Sequence, residues 1–128
     1  MTKASFSDKN GKQYTLTINV AAMRRAKSKG INLSMAAEQL RDFMLDDVFL
    51  CDAIWSIVQV DAPGLTQDDF EAGMNGRTME AARDALWVAL EEYYEPGKAE
   101  MLRAAVAMVK QELREAITSL GSTNAKDS

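Results

Sequence analysis

The stretch that decides the fold is SFSDKNGKQYTLTINVAAMRRAKSKGINL, residues 5–33. Asn10 and Gly11 separate Phe6 from a segment with an apolar residue at every second position, which is the sequence signal of a β-hairpin with one buried face. Those alternating positions are Tyr14, Leu16, Ile18 and Val20. Because two strands are not stable alone in water, this face must pack on other elements. The sequence predicts a hairpin at about residues 4–20 that lies on a helical body.

A short basic helix follows the hairpin directly. Asn19 is placed to cap a helix over residues 20–28, because its side chain can accept a hydrogen bond from the first helical turn. Lys27 and Lys29 lie near the negative C-terminal end, and Gly30 can take the left-handed conformation that closes a helix. The pattern predicts two to three helical turns.

The remaining residues show the periodicity of further helices. Residues 48–60 are apolar nearly all round, which predicts the most buried helix, with Asp52, Ser56 and Gln59 on one narrow polar stripe. Short helices are expected on either side of it, and longer ones over 78–94 and from Pro96 to about 120. The predicted fold class is therefore mainly α: a bundle of about six helices, several short, with an N-terminal β-hairpin packed on it.

Two boundaries in the middle of the chain follow from local signals. Thr66, with Asp69 three residues later, has the pattern of a capping box at the start of a short helix. Asn75 and Gly76 form a turn signal that is expected to end that helix. Residues 1–120 are expected to form one domain, and the polar segment 121–128 is expected to be a disordered tail.

Composition removes several classes of function. The chain has no histidine and no phosphate-binding glycine motif, so the common triads, imidazole-based zinc sites and nucleotide loops are excluded. The longest apolar run, residues 48–60, is too short to span a bilayer. The single cysteine, Cys51, fits a reducing compartment. The sequence predicts a cytoplasmic protein that is not an enzyme, has no cofactor and does not enter a membrane.

The basic helix allows three interpretations of Arg24, Arg25, Lys27 and Lys29. They could contact nucleic-acid phosphates or an acidic protein partner, or they could form a solvated helix face. The net charge of −4 repels a phosphate backbone, and no aromatic residues alternate with the basic ones as they do in single-strand binders. The solvated face is the favoured interpretation, with Arg24, Arg25 and Lys27 kept as candidate partner-binding residues.

Met101 and Met108 lie on the flank of the main apolar stripe of the last helix. That stripe repeats at alternating steps of four and three residues, through Leu102, Val106, Val109, Leu113, Ala116 or Ile117, and Leu120. Flexible thioethers either fill gaps in a protein's own core or form adaptable interfaces. The core is the favoured place for them, and a partner-binding flank is the alternative.

The order of elements resembles small bacteriophage proteins of the tail assembly chaperone type. The phrases that carry the resemblance are the hairpin and helix of residues 5–33, LDDVFLCDAIWSIVQ, GLTQDDFEAGMNG, AARDALWVALEEYYEP and the long final helix. The resemblance covers most of residues 4–120 and assigns no functional residue. It implies a cytoplasmic helical protein, within the host if phage-encoded, that binds the tape measure protein, keeps it soluble during tail assembly and self-associates.

Rival functions stay open at this point. A small nucleic-acid-binding regulator would use the basic helix, and a structural component of the phage tail would remain in the virion. A hydrolase could be built only on a metal held by the acidic clusters, one of which comprises Asp46, Asp47 and Asp52 and the other Glu91, Glu92 and Glu95. Helix termini and solvated faces explain those carboxylates more simply.

Overall fold

The computed structural model describes residues 4–127, and it describes no side chain at Met35, Ala37 or residues 121–127. An antiparallel hairpin of strands β1 and β2 precedes six α-helices and two short 3-10 helices within this range. The elements are β1 (Ser5–Ser7), β2 (Gln13–Thr15), α1 (Val20–Lys27), a 3-10 helix (Leu33–Gln39), α2 (Leu40–Leu45), α3 (Asp47–Val58), a 3-10 helix (Gln59–Asp61), α4 (Gln67–Ala72), α5 (Gly76–Tyr93) and α6 (Pro96–Asp127). The predicted fold class is confirmed.

The hairpin has the buried face that the alternation predicts. Phe6 pairs with Tyr14 across the strands, and their rings stack at 5.4 Å between centroids. Gly11 has a φ of 86°, so the turn needs a residue without a Cβ at this position. Val20 is the exception to the alternation, because the chain enters α1 there, and its side chain is 60% exposed.

The hairpin turn is anchored on the loop between α4 and α5. The backbone N–H of Lys9 donates to the carbonyl of Gly73 at 2.9 Å. The Asp8 carboxylate accepts from the backbone N–H groups of Asn10 and Lys12, each at 2.9 Å, so its position is fixed. A Cβ on Gly73 would lie 2.4 Å from an oxygen of that carboxylate. The loop can therefore approach the turn only with glycine at position 73.

Helix α3 is the centre of the body, as its sequence predicts. Every residue from 53 to 58 is buried, and α1, α2, α4 and α5 all pack against it. Ser56 lies inside this core instead of on a polar stripe, and its hydroxyl donates to the Asp52 carbonyl at 2.8 Å. Trp55 and Trp87 are both in the core, in agreement with their helical spacing.

Capping side chains set most helix starts. Asn19 accepts from the N–H of Ala22 at 2.8 Å, and Thr66 and Asp69 form the predicted capping box. One boundary prediction is wrong: α4 ends at Ala72, and Asn75 instead caps the start of α5 through a hydrogen bond from Thr78. The short helix predicted before α3 is divided into a 3-10 helix and α2.

Helix α6 lies on the outside of the bundle, against α5, α2 and the first 3-10 helix. Its first half buries Ala99, Leu102 and Val106. Its helical backbone continues to Asp127, past the predicted end near residue 120. The disorder expected for residues 121–128 stays a prediction, since their side chains and all of Ser128 lie outside the described part.

Replacing Gly73 by alanine is expected to destabilise the fold by about 1–3 kcal/mol, because the new methyl group collides with the fixed Asp8 carboxylate. Gly97→Ala is the matched control: it is exposed in the first turns of α6 and has open space around its Cβ position. That change should leave stability unchanged or raise it by up to about 1 kcal/mol. Urea unfolding of both variants measures the difference, and equal stabilities would contradict the anchoring of the turn.

Candidate interaction surfaces

The four basic residues of the α1 region do not form one patch. Arg25 turns inward, and its Nε donates to the carbonyl of Ser56 at 2.7 Å, near the C-terminal end of α3. Lys29 donates to the side-chain oxygen of Gln67 at 2.7 Å and lies 4.0 Å from the Asp52 carboxylate. Arg25 and Lys29 thus join α1 and its loop to the body. The prediction that Arg25 is a partner-binding residue is not supported by this position.

Arg24 and Lys27 are different, because both are exposed and line a groove of about 240 Å³. Neither side chain takes part in an ion pair or a hydrogen bond with any residue whose side chain is described. Val20 and Met23 share the α1 side of the groove with them, and Asn32 and Ser34 line it from the following segment. We call this set of six residues the basic groove. Sequence analysis found its cations but missed the four other residues, because the segment after Gly30 folds back beside α1.

The apolar stripe of α6 passes from buried to exposed along the helix. Leu102 and Val106 are buried, and Val109 and Leu113 are half-buried. The next two large apolar residues of the stripe, Ile117 and Leu120, are 69% and 66% exposed. We call Leu113, Ile117 and Leu120 the distal seam. Its spacing predicts a packed helix, yet no other described element covers Ile117 or Leu120.

Met101 and Met108 are also exposed, at 72% and 63%. The interpretation that they fill gaps in the core is therefore wrong, and the alternative of an exposed flank describes them. At 100° of rotation per residue they lie about a third of a turn away from the distal seam. The two sets form neighbouring apolar surfaces on one helix and do not form one continuous face.

The acidic clusters are engaged in local structure. Asp46 caps α3, and Asp47 lies 3.1 Å from the guanidinium of Arg83. Glu91 pairs with Arg103 at 2.6 Å. Nowhere in the described chain do three carboxylate, thiol or imidazole side chains come together in a way that could hold a metal ion.

Cys51 lines a cavity of about 360 Å³ at the junction of α3, α4 and α5. The thiol is buried, and its Sγ lies 3.5 Å from the sulfur of Met79. Burial raises the pKa of the Cys51 thiol to about 11, and the carboxylates of Glu71, Asp47 and Asp52 add to this effect. A protonated thiol is a poor nucleophile, so the cavity contains no activated cysteine.

No protein-family model, curated protein or solved structure matches this chain at a significant level. Among the helices of residues 4–127, none has both the length and the hydropathy needed to cross a bilayer.

Arg25→Ala is expected to lower the free energy of unfolding by about 1–2 kcal/mol, because the Ser56 carbonyl loses its guanidinium donor. Arg24→Ala, one position away on the same helix, should change it by less than about 0.5 kcal/mol, since its side chain contacts solvent. Chemical unfolding of the two variants makes the comparison. If both variants lowered the free energy of unfolding equally, the inward orientation of Arg25 and the outward orientation of Arg24 would be wrong.

The raised pKa of Cys51 predicts a loss of stability at alkaline pH. The folded thiol keeps its proton up to about pH 11, whereas the unfolded thiol loses it near its ordinary value of 9.0. The contribution is complete below pH 9 and disappears as the pH rises through 11, with a total of about 3 kcal/mol. Unfolding measured from pH 8 to 11 should show a smaller decline in Cys51→Ala, and parallel curves would contradict this.

Proposed function

We propose that this chain is an interaction protein of the bacteriophage tail assembly chaperone type, which binds the tape measure protein and keeps it soluble during tail assembly. The observation that supports this proposal best is the distal seam. Leu113, Ile117 and Leu120 continue a stripe whose first half is packed against the body; Leu113 is half-buried, and Ile117 and Leu120 are largely exposed. An apolar helix stripe that is buried in its first half and exposed in its second half is suited to binding another helix.

The chemistry of the seam indicates the kind of partner. Alternating steps of four and three residues fit the side-chain ridges of one helix into the grooves of another. The partner is therefore an amphipathic helix with its own aliphatic stripe. The tape measure protein implied by the resemblance is a long, helical, apolar-rich polypeptide, and stretches of this kind would need cover before the tube encloses them.

Met101 and Met108 suit a partner that presents many similar segments in turn. Their thioether side chains are unbranched and polarisable, so they adapt to surfaces of different shape. Both are more than half exposed, on a face of α6 that lies about a third of a turn from the seam. They would give the partner a second apolar contact on α6 without requiring one particular partner sequence.

The proposal includes the host cytoplasm as the place of action and self-association of the free chaperone. Two copies could cover each other's seams until the partner displaces one of them. A protein with this role would be absent from purified virions, whereas a structural tail component would be found in them.

Charge disfavours the nucleic-acid regulator. Two of its four candidate cations, Arg25 and Lys29, are bonded to the body, and the chain carries a net charge of −4. Arg24 and Lys27 remain, and two cations could neutralise only about two phosphates. Since affinity for nucleic acid grows with the number of phosphates neutralised, this pair would bind it weakly.

The double variant Ile117→Gln/Leu120→Gln is expected to lose most binding to a tape measure protein from the same genome, by about tenfold or more, because two apolar contacts are replaced by hydrated amides. Both genes are co-expressed, and the soluble fraction and co-elution of the tape measure protein are measured. Met101→Gln/Met108→Gln should give a smaller loss.

Val60→Gln is the control, because Val60 is 59% exposed but lies outside α6. It should bind as the unmodified protein does, and all variants should unfold at the same urea concentration. If the unmodified protein changes neither the solubility nor the elution of the tape measure protein, the proposed function is wrong.

A further inference from the structure

We propose that the basic groove is a second binding site, separate from the distal seam, that takes an acidic peptide segment of a protein partner. This inference does not depend on the proposed function, since it uses other residues on another part of the molecule. It begins from an asymmetry within α1. Two of its four neighbouring cations, Arg25 and Lys29, donate to acceptors of the body. The other two, Arg24 and Lys27, have no acceptor among the residues whose side chains are described.

The unpaired cations share a side of α1. Arg24 and Lys27 are three residues apart, so they are neighbours on one helix face. Both line the groove and both are exposed, and neither has an oxygen acceptor among residues 4–127. None of the six residues that line the groove is acidic, and Asp52 accepts from the Gln67 amide at 2.6 Å on the side of Lys29. The groove therefore carries positive charge on a protein whose net charge is −4.

The other lining residues define the rest of the ligand. Val20 is 60% exposed, and Met23 lies beside it, so the groove has an apolar portion one helical turn from its cations. On the other side, the hydroxyl of Ser34 donates to the Asn32 side-chain oxygen at 2.6 Å, which leaves the Asn32 amide nitrogen as a donor. A fitting segment carries one aliphatic side chain, with two carboxylates about one helical turn away.

Peptide is favoured over nucleic acid by the same residues. A nucleic acid would use a longer cationic track and aromatic side chains for stacking, and none of the six lining residues is aromatic. The apolar portion would gain nothing from a phosphate backbone. Two cations beside an aliphatic surface match an amphipathic acidic peptide in both charge and hydropathy.

A short acetylated and amidated helical peptide tests the proposal. It contains leucine, alanine and glutamate, with the glutamates one turn from a leucine, and it carries a neutral dye for fluorescence anisotropy. Binding to the full chain is expected at low ionic strength and should weaken as salt is added, because the contact is electrostatic. Arg24→Glu/Lys27→Glu should reduce the affinity by about tenfold or more.

Controls separate a specific groove from a general charge effect. Arg77→Glu/Lys9→Glu makes the same change in net charge at two exposed cations outside the groove, and it should retain the affinity within about twofold. A peptide with glutamine in place of glutamate should not bind. Arg24→Gln/Lys27→Gln should lose less affinity than the charge reversal, and all variants should keep the unfolding midpoint of the unmodified protein.

Several outcomes would overturn the inference. These are no binding of the acidic peptide, equal binding of the glutamine peptide, or equal loss in the Arg77→Glu/Lys9→Glu control. Stronger binding of a mixed-sequence DNA oligomer than of the peptide would assign the groove to nucleic acid. Ile117→Gln/Leu120→Gln, which should leave peptide binding intact, keeps this result distinct from failure of the proposed function.

Discussion

The structure depends on one constraint: α3 is apolar nearly all round, and its second half must be covered on every side. Its residues 53–58 are all buried, and α1, α2, α4 and α5 surround it. The hairpin packs in turn on α5 through β1. Each of these elements has only a narrow apolar stripe, and that stripe is buried in covering α3. Helix α6 packs on α5, α2 and the first 3-10 helix, and no other element of the described chain covers Ile117 and Leu120 in its distal half.

The same constraint explains why the basic residues of the α1 region fall into an inward-facing group and an exposed group. Helix α3 gives way to 3-10 geometry at Gln59, so the Ser56 carbonyl lacks the regular partner four residues later. This carbonyl is at the negative end of the helix, where a cation is favoured. Arg25 supplies both the charge and the hydrogen bond. Once Arg25 is oriented inward, helix geometry turns Arg24 away from α3, and the exposed groove is a consequence of how the core helix ends.

Local signals in the sequence were sufficient for most of the fold. Asn19, Thr66 and Gly11 act through the backbone within four residues of themselves, so a pattern can reveal them. The prediction for Asn75 is wrong because the same residue type can end one helix or cap the next. Gly73, which follows α4, is required by its close approach to Asp8, a residue distant in the sequence. The surfaces were harder to predict. The exposure of Met108 depends on which side of α6 the body covers, and the groove depends on how the chain turns after Gly30.

The exposed distal half of α6 links stability to binding. Isolated helical segments of this length are marginal in water, because nucleation is unfavourable and packing supplies most helical stability in proteins. Residues 114–120 are all exposed, so they gain little from packing on the body. Local pairs such as Gln111 with Glu115, at 3.1 Å, add only a few tenths of a kcal/mol. A partner that covers Ile117 and Leu120 would therefore stabilise the helix that binds it. The affinity of the seam and the helicity of the segment should rise together, because a single packing interaction produces both.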